Sequence, residues 1–158
     1  MRFIHTADWH LGKLFGQRHM TEDQAYVLEE LLALCVDLRP DALVIAGDIY
    51  DRAIPPPEAV ELFNTILTKL SEQGIRVLFI AGNHDSAVRL GFGAQLLRTS
   101  GIYLAGVVRS TEPPVILSDE YGDVYFSLIP YGDPPHVRES FGLDDNLSFD
   151  GALAVQIA

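Results

Sequence analysis

Three short apolar runs, each followed at once by polar residues, stand out in the hydrophobic pattern of the chain. They cover residues 2–7, 42–46 and 76–81. The continuous apolar run at 42–46 predicts a strand that is buried on both faces, as in a parallel sheet, and the other two segments share its layout. Because the carboxyl ends of parallel strands lie at one edge of a sheet, the three polar segments are predicted to share the crevice where open α/β folds bind their ligands.

Helical periodicity fills the segments between these runs. A capping box is expected at Thr21–Gln24, with Thr21 as the N-cap and Gln24 reaching back to it, and it would open an amphipathic helix that ends before Pro40. A second helix is expected to start in the proline run at residues 55–57 and to end at Gly74. Residues 86–100 read as a helix interrupted by glycines. The pattern therefore alternates strand and helix, as in an α/β fold.

The later part of the chain has a weaker pattern. We expect a short strand at 102–104, an antiparallel hairpin formed by 115–118 and 124–129, a rigid loop at 131–135 and a helix over 146–158. Residues 11–20 are expected to form a loop. No internal repeat and no second domain is indicated, so residues 1–158 are treated as one domain.

Composition supports a globular domain in a reducing compartment. Hydrophobic residues make up 48% of the 158 residues, which is enough for a sizeable core. The only cysteine, Cys35, lies among apolar residues and is expected to be buried in a cytoplasmic protein. No apolar run approaches the ~18 residues that a membrane-spanning helix needs, so no membrane association is expected.

The net charge of −11 argues against a domain that holds nucleic acid by charge alone, because such binding depends on lysine and arginine facing phosphates. An acidic enzyme can still act on DNA when metal ions neutralise its site and a partner supplies the grip.

The polar segments after the three strands contain a set of metal-ligating side chains. Asp8 and His10 follow the first strand, Asp48 the second and Asn83 the third. Two divalent cations ~3.5–4 Å apart repel each other, and a bridging carboxylate on the middle strand, Asp48, would offset that repulsion. Asp8 and His10 would then bind one ion and Asn83 the other. Mixed oxygen and nitrogen ligands favour Mn, Fe or Zn over Mg.

The motifs D-x-H, G-D-x-x-D and G-N-H-D, in this order between strands, resemble those of the calcineurin-like metallophosphoesterases. The longer strings at residues 5–12, 47–52 and 81–86 are similar to the SbcD-type exonucleases, bacterial relatives of the Mre-type DNA-repair nucleases. The similarity extends from Met1 to about Pro135. It implies an α/β sandwich of mixed sheets flanked by helices, here C-terminally incomplete.

The resemblance also implies roles for individual residues. In that family two Mn ions activate a bridging water that attacks a DNA phosphodiester. His84 would then be catalytic rather than a ligand, stabilising the transition state or protonating the leaving oxygen. Asp51 matches an acidic position that orients this histidine, and Arg52 matches a position that contacts phosphate in some relatives. A surface ion pair is an equally good interpretation of Arg52.

Further expectations come from the family pattern. Its later G-H and G-H-x-H motifs, which complete both metal shells, and its capping domain do not occur in residues 1–158, so the chain is expected to be the N-terminal portion of a longer nuclease and nearly inactive alone. The resemblance implies DNA as substrate, an SbcC-type coiled-coil ABC ATPase as partner, a homodimer within a heterotetramer, and work in DNA repair, recombination and replication. The alternatives are another phosphoesterase of this fold, such as a phosphatase or cyclic-nucleotide phosphodiesterase, and a non-catalytic scaffold subunit.

Overall fold

The computed structural model describes all 158 residues and alternates strands with helices through its first two-thirds. In chain order the strands are β1 (Phe3–Thr6), β2 (Leu14–Phe15), β3 (Arg18–His19), β4 (Ala42–Ala46), β5 (Arg76–Ile80), β6 (Ile102–Ala105), β7 (Val115–Asp119) and β8 (Gly122–Phe126). The helices are α1 (Thr21–Leu38), α2 (Pro57–Glu72), α3 (Ala87–Leu90), α4 (Ala94–Leu97), α5 (Pro134–Phe141) and α6 (Phe149–Ile157), with a 3-10 turn at Arg98–Ser100.

A four-stranded parallel sheet in the order β1-β4-β5-β6 forms the centre of the molecule. The three strands expected from the apolar runs are all present in it, and each ends at the same edge. The two antiparallel hairpins, β2-β3 and β7-β8, form separate sheets, so parallel and antiparallel pairs are not mixed within one sheet.

Both faces of the parallel sheet are covered at β4 and β5, whereas Phe3 and His5 of the edge strand β1 remain exposed. On one face α1 and α2 pack through residues such as Cys35 and Phe63 against Ile45 and Phe79 of the strands. On the other face the β7-β8 hairpin packs against Leu78 and its neighbours. Alternate residues of a strand point to opposite faces, which explains why β4 is apolar throughout and β5 is apolar after Arg76. The expected α/β sandwich is therefore confirmed, and Cys35 is fully buried as predicted.

Four local expectations were wrong. The capping box is absent because α1 begins at Thr21 itself, with Met20 before it and no side-chain cap. Residues 11–20 contain the β2-β3 hairpin, and β8 ends at Phe126 instead of residue 129. The loop expected at 131–135 gives way to α5, because Pro134 stands in its first turn and the Asp133 carboxylate caps it by accepting from the His136 N–H at 3.0 Å.

None of the helices combines the length and apolar character needed to cross a membrane.

Candidate metal centre

The carboxyl edge of the parallel sheet brings together one potential ligand from each of the three loops that follow β1, β4 and β5. His10, Asp48 and His84 each offer a ligand atom, and these atoms all lie within 4.8 Å of one another. Nε2 of His10 is 3.7 Å from Oδ2 of Asp48 and 3.8 Å from Oδ1 of Asp8. Asn83 lines the same crevice as Asp8 and Asp48. The loops therefore form one cluster of oxygen and nitrogen donors.

Backbone hydrogen bonds hold the first two loops side by side beyond the ends of their strands. The N–H groups of Asp8 and His10 donate to the carbonyls of Gly47 and Asp48 at 3.2 and 2.9 Å. Leu11 N–H donates to the Ile49 carbonyl at 2.9 Å. Because the pairing of β1 with β4 continues in this way, the first loop is registered against the second by its main chain.

The loops adopt backbone conformations that most residues avoid. Only four residues other than glycine have positive φ, and three of them are Asp8 (57°), His10 (45°) and Asp48 (49°). Aspartate and histidine enter this left-handed region more readily than most side chains. Such conformations cost on the order of 1–3 kcal/mol each and persist where the surrounding structure holds them, most often at functional sites.

The third loop approaches Asp48 so closely that a side chain is excluded. A Cβ atom built on Gly82 would lie closer than 3.0 Å to three atoms of Asp48, its N, Cγ and Oδ1. Gly47, with φ of 87°, packs against Gly82 from the other loop. Two glycines thus allow the loops after β4 and β5 to touch, which places the His84 N–H 3.0 Å from Oδ1 of Asp48.

Asp48 is the only charged residue of the chain that is buried. Its nearest potentially positive neighbour is His10, and no lysine or arginine lies within 4.0 Å of it. Buried carboxylates are normally paired with a positive charge or bound to a metal, because desolvation of an isolated charge is costly. A cation bound here would supply the missing positive charge.

Comparison of the sequence with known proteins agrees with a metal centre at this position. Residues 1–151 match the family described as calcineurin-like phosphoesterase. The chain belongs to the calcineurin-like phosphoesterase family. It is also similar to the SbcD subunit of the nuclease SbcCD from Staphylococcus saprophyticus, with 36% identity over 132 residues. That match covers 83% of this chain and 34% of the relative, so the chain spans about a third of the length of the curated protein that it matches. The expected resemblance is thereby confirmed.

The donor set fits the divalent metals that calcineurin-like phosphoesterases use. It combines carboxylate oxygens, imidazole nitrogens and an amide oxygen, a mixture suited to Mn, Fe or Zn. The Nδ1 atom of His10 is buried without a well-aligned hydrogen bond, and its nearest acceptor is Oδ1 of Asp51 at 3.4 Å. Histidines that bind metal through one nitrogen usually donate the other to a carboxylate, so a small shift would complete that arrangement.

Asp51 is placed differently from the expectation that its acidic group orients His84. Its carboxylate faces Nδ1 of His10 and Nζ of Lys13, each at 3.4 Å. His84 instead contacts the main chain of Asp51, with its Nδ1 2.9 Å from the carbonyl oxygen. A carbonyl only accepts hydrogen bonds, so His84 carries a proton on Nδ1. The ring of His84 stands edge-on to that of His10, with centroids 4.7 Å apart.

Arg52 is exposed, directly after Asp51 in the loop that follows β4, and forms no ion pair within 4.0 Å. The surface ion pair considered as its alternative role is therefore not formed.

A cluster of aromatic rings supports the loops from behind. Phe63 of α2 makes edge-to-face contacts with Trp9, Tyr50 and Phe79, at centroid distances of 6.0, 5.7 and 5.4 Å. Trp9 lies between Asp8 and His10, and its Nε1 donates to Oγ1 of Thr6 at 3.0 Å. Aromatic pairs of this kind contribute about 0.5–1.5 kcal/mol each beyond the area they bury. The ligand loops therefore rest on a packed aromatic layer.

Sequence reasoning missed two residues that hold the loops, and Asp85 is the first. Its carboxylate accepts hydrogen bonds from the N–H groups of Ile49, Tyr50 and Gly82 at 3.1, 2.9 and 2.9 Å. It therefore ties the loop after β4 to the loop after β5. Burial raises the pKa of Asp85 despite these hydrogen bonds, and the charge of Asp48 adds to the increase. Its position in the G-N-H-D string was the available signal.

Gln24 is the second missed residue. Its side chain leaves α1 and binds the loop that carries Asp8 and His10. The sequence offered no signal for this contact, because Gln24 fits the capping-box pattern equally well.

Proposed function

We propose that this chain is the N-terminal, metal-binding portion of a DNA nuclease subunit that hydrolyses phosphodiester bonds. The observation that carries the proposal is the cluster of His10, Asp48 and His84 ligand atoms within 4.8 Å at the carboxyl edge of the sheet. The similarity to a nuclease subunit favours DNA as the substrate class within the phosphoesterase family.

Two divalent cations, most simply Mn, are the cofactors of this proposal. Asp8, His10 and Asp48 would hold one ion, and Asp48 would share the second with Asn83. Bound there, the ions would supply Lewis acidity toward the phosphodiester and a nucleophilic water. The burial of Asp48 and the incomplete hydrogen bonding of His10 support this assignment.

His84 is proposed to act on the substrate. The Asp51 carbonyl holds its Nδ1–H, which fixes the ring and leaves Nε2 to exchange a proton. When Nε2 is protonated, His84 would stabilise charge on the phosphoryl group or protonate the leaving oxygen. Asp51 would support the site through its carbonyl on His84 and through its carboxylate beside His10.

The substrate would occupy the open crevice beside the ligands, a cavity of about 460 Å³ lined in part by Asp8, Asp48 and Asn83. Arg52, which is exposed in the same loop as Asp48 and Asp51, is free to contact a phosphate. With a net charge of −11 the chain needs help to hold DNA, which we assign to an SbcC-type coiled-coil ABC ATPase. The complex would act in DNA repair, recombination and replication in the cytoplasm.

A homodimer is part of the proposal. An apolar groove of about 510 Å³ lies between α2 and the α3–α4 segment, and both Ile54 and Phe92 line it while remaining 69% and 86% exposed. A two-fold interface needs a self-complementary surface, and a projecting ring beside a groove supplies one when the ring of each copy enters the groove of the other. Sedimentation of the chain and of Phe92→Ser tests this assignment, and a monomer at high concentration would contradict it.

The decisive experiment compares this chain with a form extended to the length of the nuclease subunit. We expect the 158-residue chain to be nearly inactive on linear duplex DNA with Mn, because Asp48 and Asn83 alone are too few ligands for the second ion. The extended form should cleave, and its Asp48→Asn variant should not. Asp37→Asn, which changes an exposed carboxylate without an ion pair, is the matched control.

Comparable turnover from the short chain would show that the further histidine motifs are dispensable. The same preparations should be tested on bis-p-nitrophenyl phosphate and p-nitrophenyl phosphate. Cleavage of the monoester without cleavage of DNA would replace the nuclease assignment with a phosphatase.

A further inference from the structure

The side chain of Gln24 connects helix α1 to the turn that carries Asp8 and His10. Its Nε2 donates to the carbonyl oxygens of Trp9 and His10 at 3.1 and 2.7 Å, and its Oε1 accepts from the Gly12 N–H at 3.1 Å. A primary amide offers two N–H donors and one oxygen acceptor, so every polar function of Gln24 is engaged with this turn.

The turn needs such a support because its backbone is strained. Asp8, His10 and Gly12 have φ values of 57°, 45° and 82°. The loop after β4 holds one side of the turn through the N–H groups of Asp8 and His10. Gln24 binds the carbonyls of Trp9 and His10 and the Gly12 N–H, to which the loop after β4 makes no hydrogen bond; the His10 carbonyl also accepts from the Lys13 N–H at 3.1 Å. Gln24 and the loop after β4 therefore support different atoms of the turn.

We propose that Gln24 is a positioning residue for the metal centre, holding the turn at Asp8–Gly12 so that His10 stays within 4 Å of both Asp8 and Asp48. This inference rests on the proposed function, since it assigns Gln24 to the same metal-binding cluster. The reach and polarity of the side chain are both required. Asparagine carries the same amide on a chain that is one methylene shorter, and methionine has similar length without the donors.

Gln24→Met and Gln24→Asn should each weaken Mn binding, measured by calorimetry on the chain, by about 10–100-fold, the usual effect of removing a residue that orients metal ligands. Gln73→Met is the matched control, because Gln73 is an exposed glutamine at the end of α2 whose side chain makes no hydrogen bond. Its Mn affinity should equal that of the wild type.

Amide hydrogen exchange of the metal-free protein gives a second readout that does not depend on metal. In Gln24→Met the Gly12 amide should exchange at least about tenfold faster, as expected for loss of its hydrogen bond, while the amides of β4 and β5 stay protected. Unchanged exchange at Gly12 would overturn the proposal. Equal acceleration throughout the sheet would also overturn it, because that result describes a general contribution to stability.

The two readouts separate failure of this inference from failure of the proposed function. Wild-type chain that binds no Mn contradicts the metal assignment, while the exchange data still decide the role of Gln24. If the wild-type chain and both Gln24 variants bind Mn with the same affinity, the metal assignment stands and Gln24 has no role in it.

Discussion

The backbone N–H of His84 donates a 3.0 Å hydrogen bond to Oδ1 of Asp48. The two residues lie in the loops after the adjacent strands β5 and β4. The carboxylate of Asp48 is therefore oriented by the protein itself, while its Oδ2 remains 3.7 Å from Nε2 of His10. A ligand that is held in place before the metal arrives loses less entropy on binding it, which favours a well-defined site.

Asp48→Ala should remove most of the affinity for Mn. Both ions of the proposed pair lose a charged ligand at once, so we expect a loss greater than the ~10–100-fold typical of an outer-shell substitution. Calorimetric titration with Mn measures it, and Asp37→Ala serves as the exposed control. Unchanged affinity would remove Asp48 from the bridging position.

His84→Ala should leave Mn affinity nearly intact and lower hydrolysis by the extended form by ~10²–10³, the effect of removing one transition-state donor. The comparison matters because His84 lies within ligand distance of His10 and Asp48. His136→Ala, at an exposed histidine of α5, is the control. If Mn binding and hydrolysis disappear together, His84 is a ligand.

Asp85→Asn should destabilise the fold by about 1–3 kcal/mol at neutral pH. The carboxylate accepts hydrogen bonds from backbone N–H groups, whereas the NH₂ group of the amide cannot accept them. Urea unfolding measures the change. Asp37→Asn, at an exposed residue, gives the baseline for loss of one charge. An equal loss of stability in the two variants would show that Asp85 does not tie the loops after β4 and β5 together.

The difference in stability between the wild type and Asp85→Asn should depend on pH, with a defined sign. Burial raises the pKa of Asp85 above the ordinary 3.8, so the folded state binds its proton more tightly than the unfolded state. The stability that this proton contributes is complete below pH 3.8 and is lost as the pH rises through the raised pKa. As the pH rises through that acidic window, the wild type should therefore lose stability relative to Asp85→Asn. A difference in unfolding free energy that stays constant with pH would contradict the raised pKa.

Gly82→Ala should disrupt the centre without changing any donor. The new methyl group would overlap Asp48, so the loops after β4 and β5 must separate. We expect at least a ~10-fold loss of Mn affinity, as for other disturbances of ligand orientation. Gly151→Ala is the matched control, since its Cβ would meet nothing closer than 3.4 Å. Normal Mn binding by Gly82→Ala would show that the contact between the loops is dispensable.

The arrangement of the sheet was accessible from the sequence because it depends on a strong pattern. The runs at 42–46 and 77–80 are continuously apolar, so burial in a sheet is strongly favoured, and the motifs after them mark the shared edge. That topology brings His10, Asp48 and His84 to one edge, because each follows one of three adjacent strands. The shared edge could therefore be predicted from residues that stand just after strand ends, while the role of each residue there stays a prediction.

The contacts that hold the loops were not accessible, because they join residues that no periodicity links. Gln24 can cap its own helix or bind a distant turn, and only the packing of α1 on the sheet decides between the two. The Asp51 carboxylate faces His10 while its carbonyl faces His84, an arrangement set by the backbone of the loop that the residue type does not reveal. Helix α5 was missed because its two prolines also suit a loop.

The left-handed residues of the centre limit how the site could be moved or diversified. A residue that replaces Asp8, His10 or Asp48 must offer a metal ligand, as the proposed site requires, and must also tolerate positive φ. Glutamate would keep the carboxylate at Asp8 or Asp48, but it lacks the short side chain that makes aspartate tolerant of this conformation. Grafting these three side chains onto another scaffold would therefore require transplanting the turns with them, since the shape of the main chain is part of the recognition site.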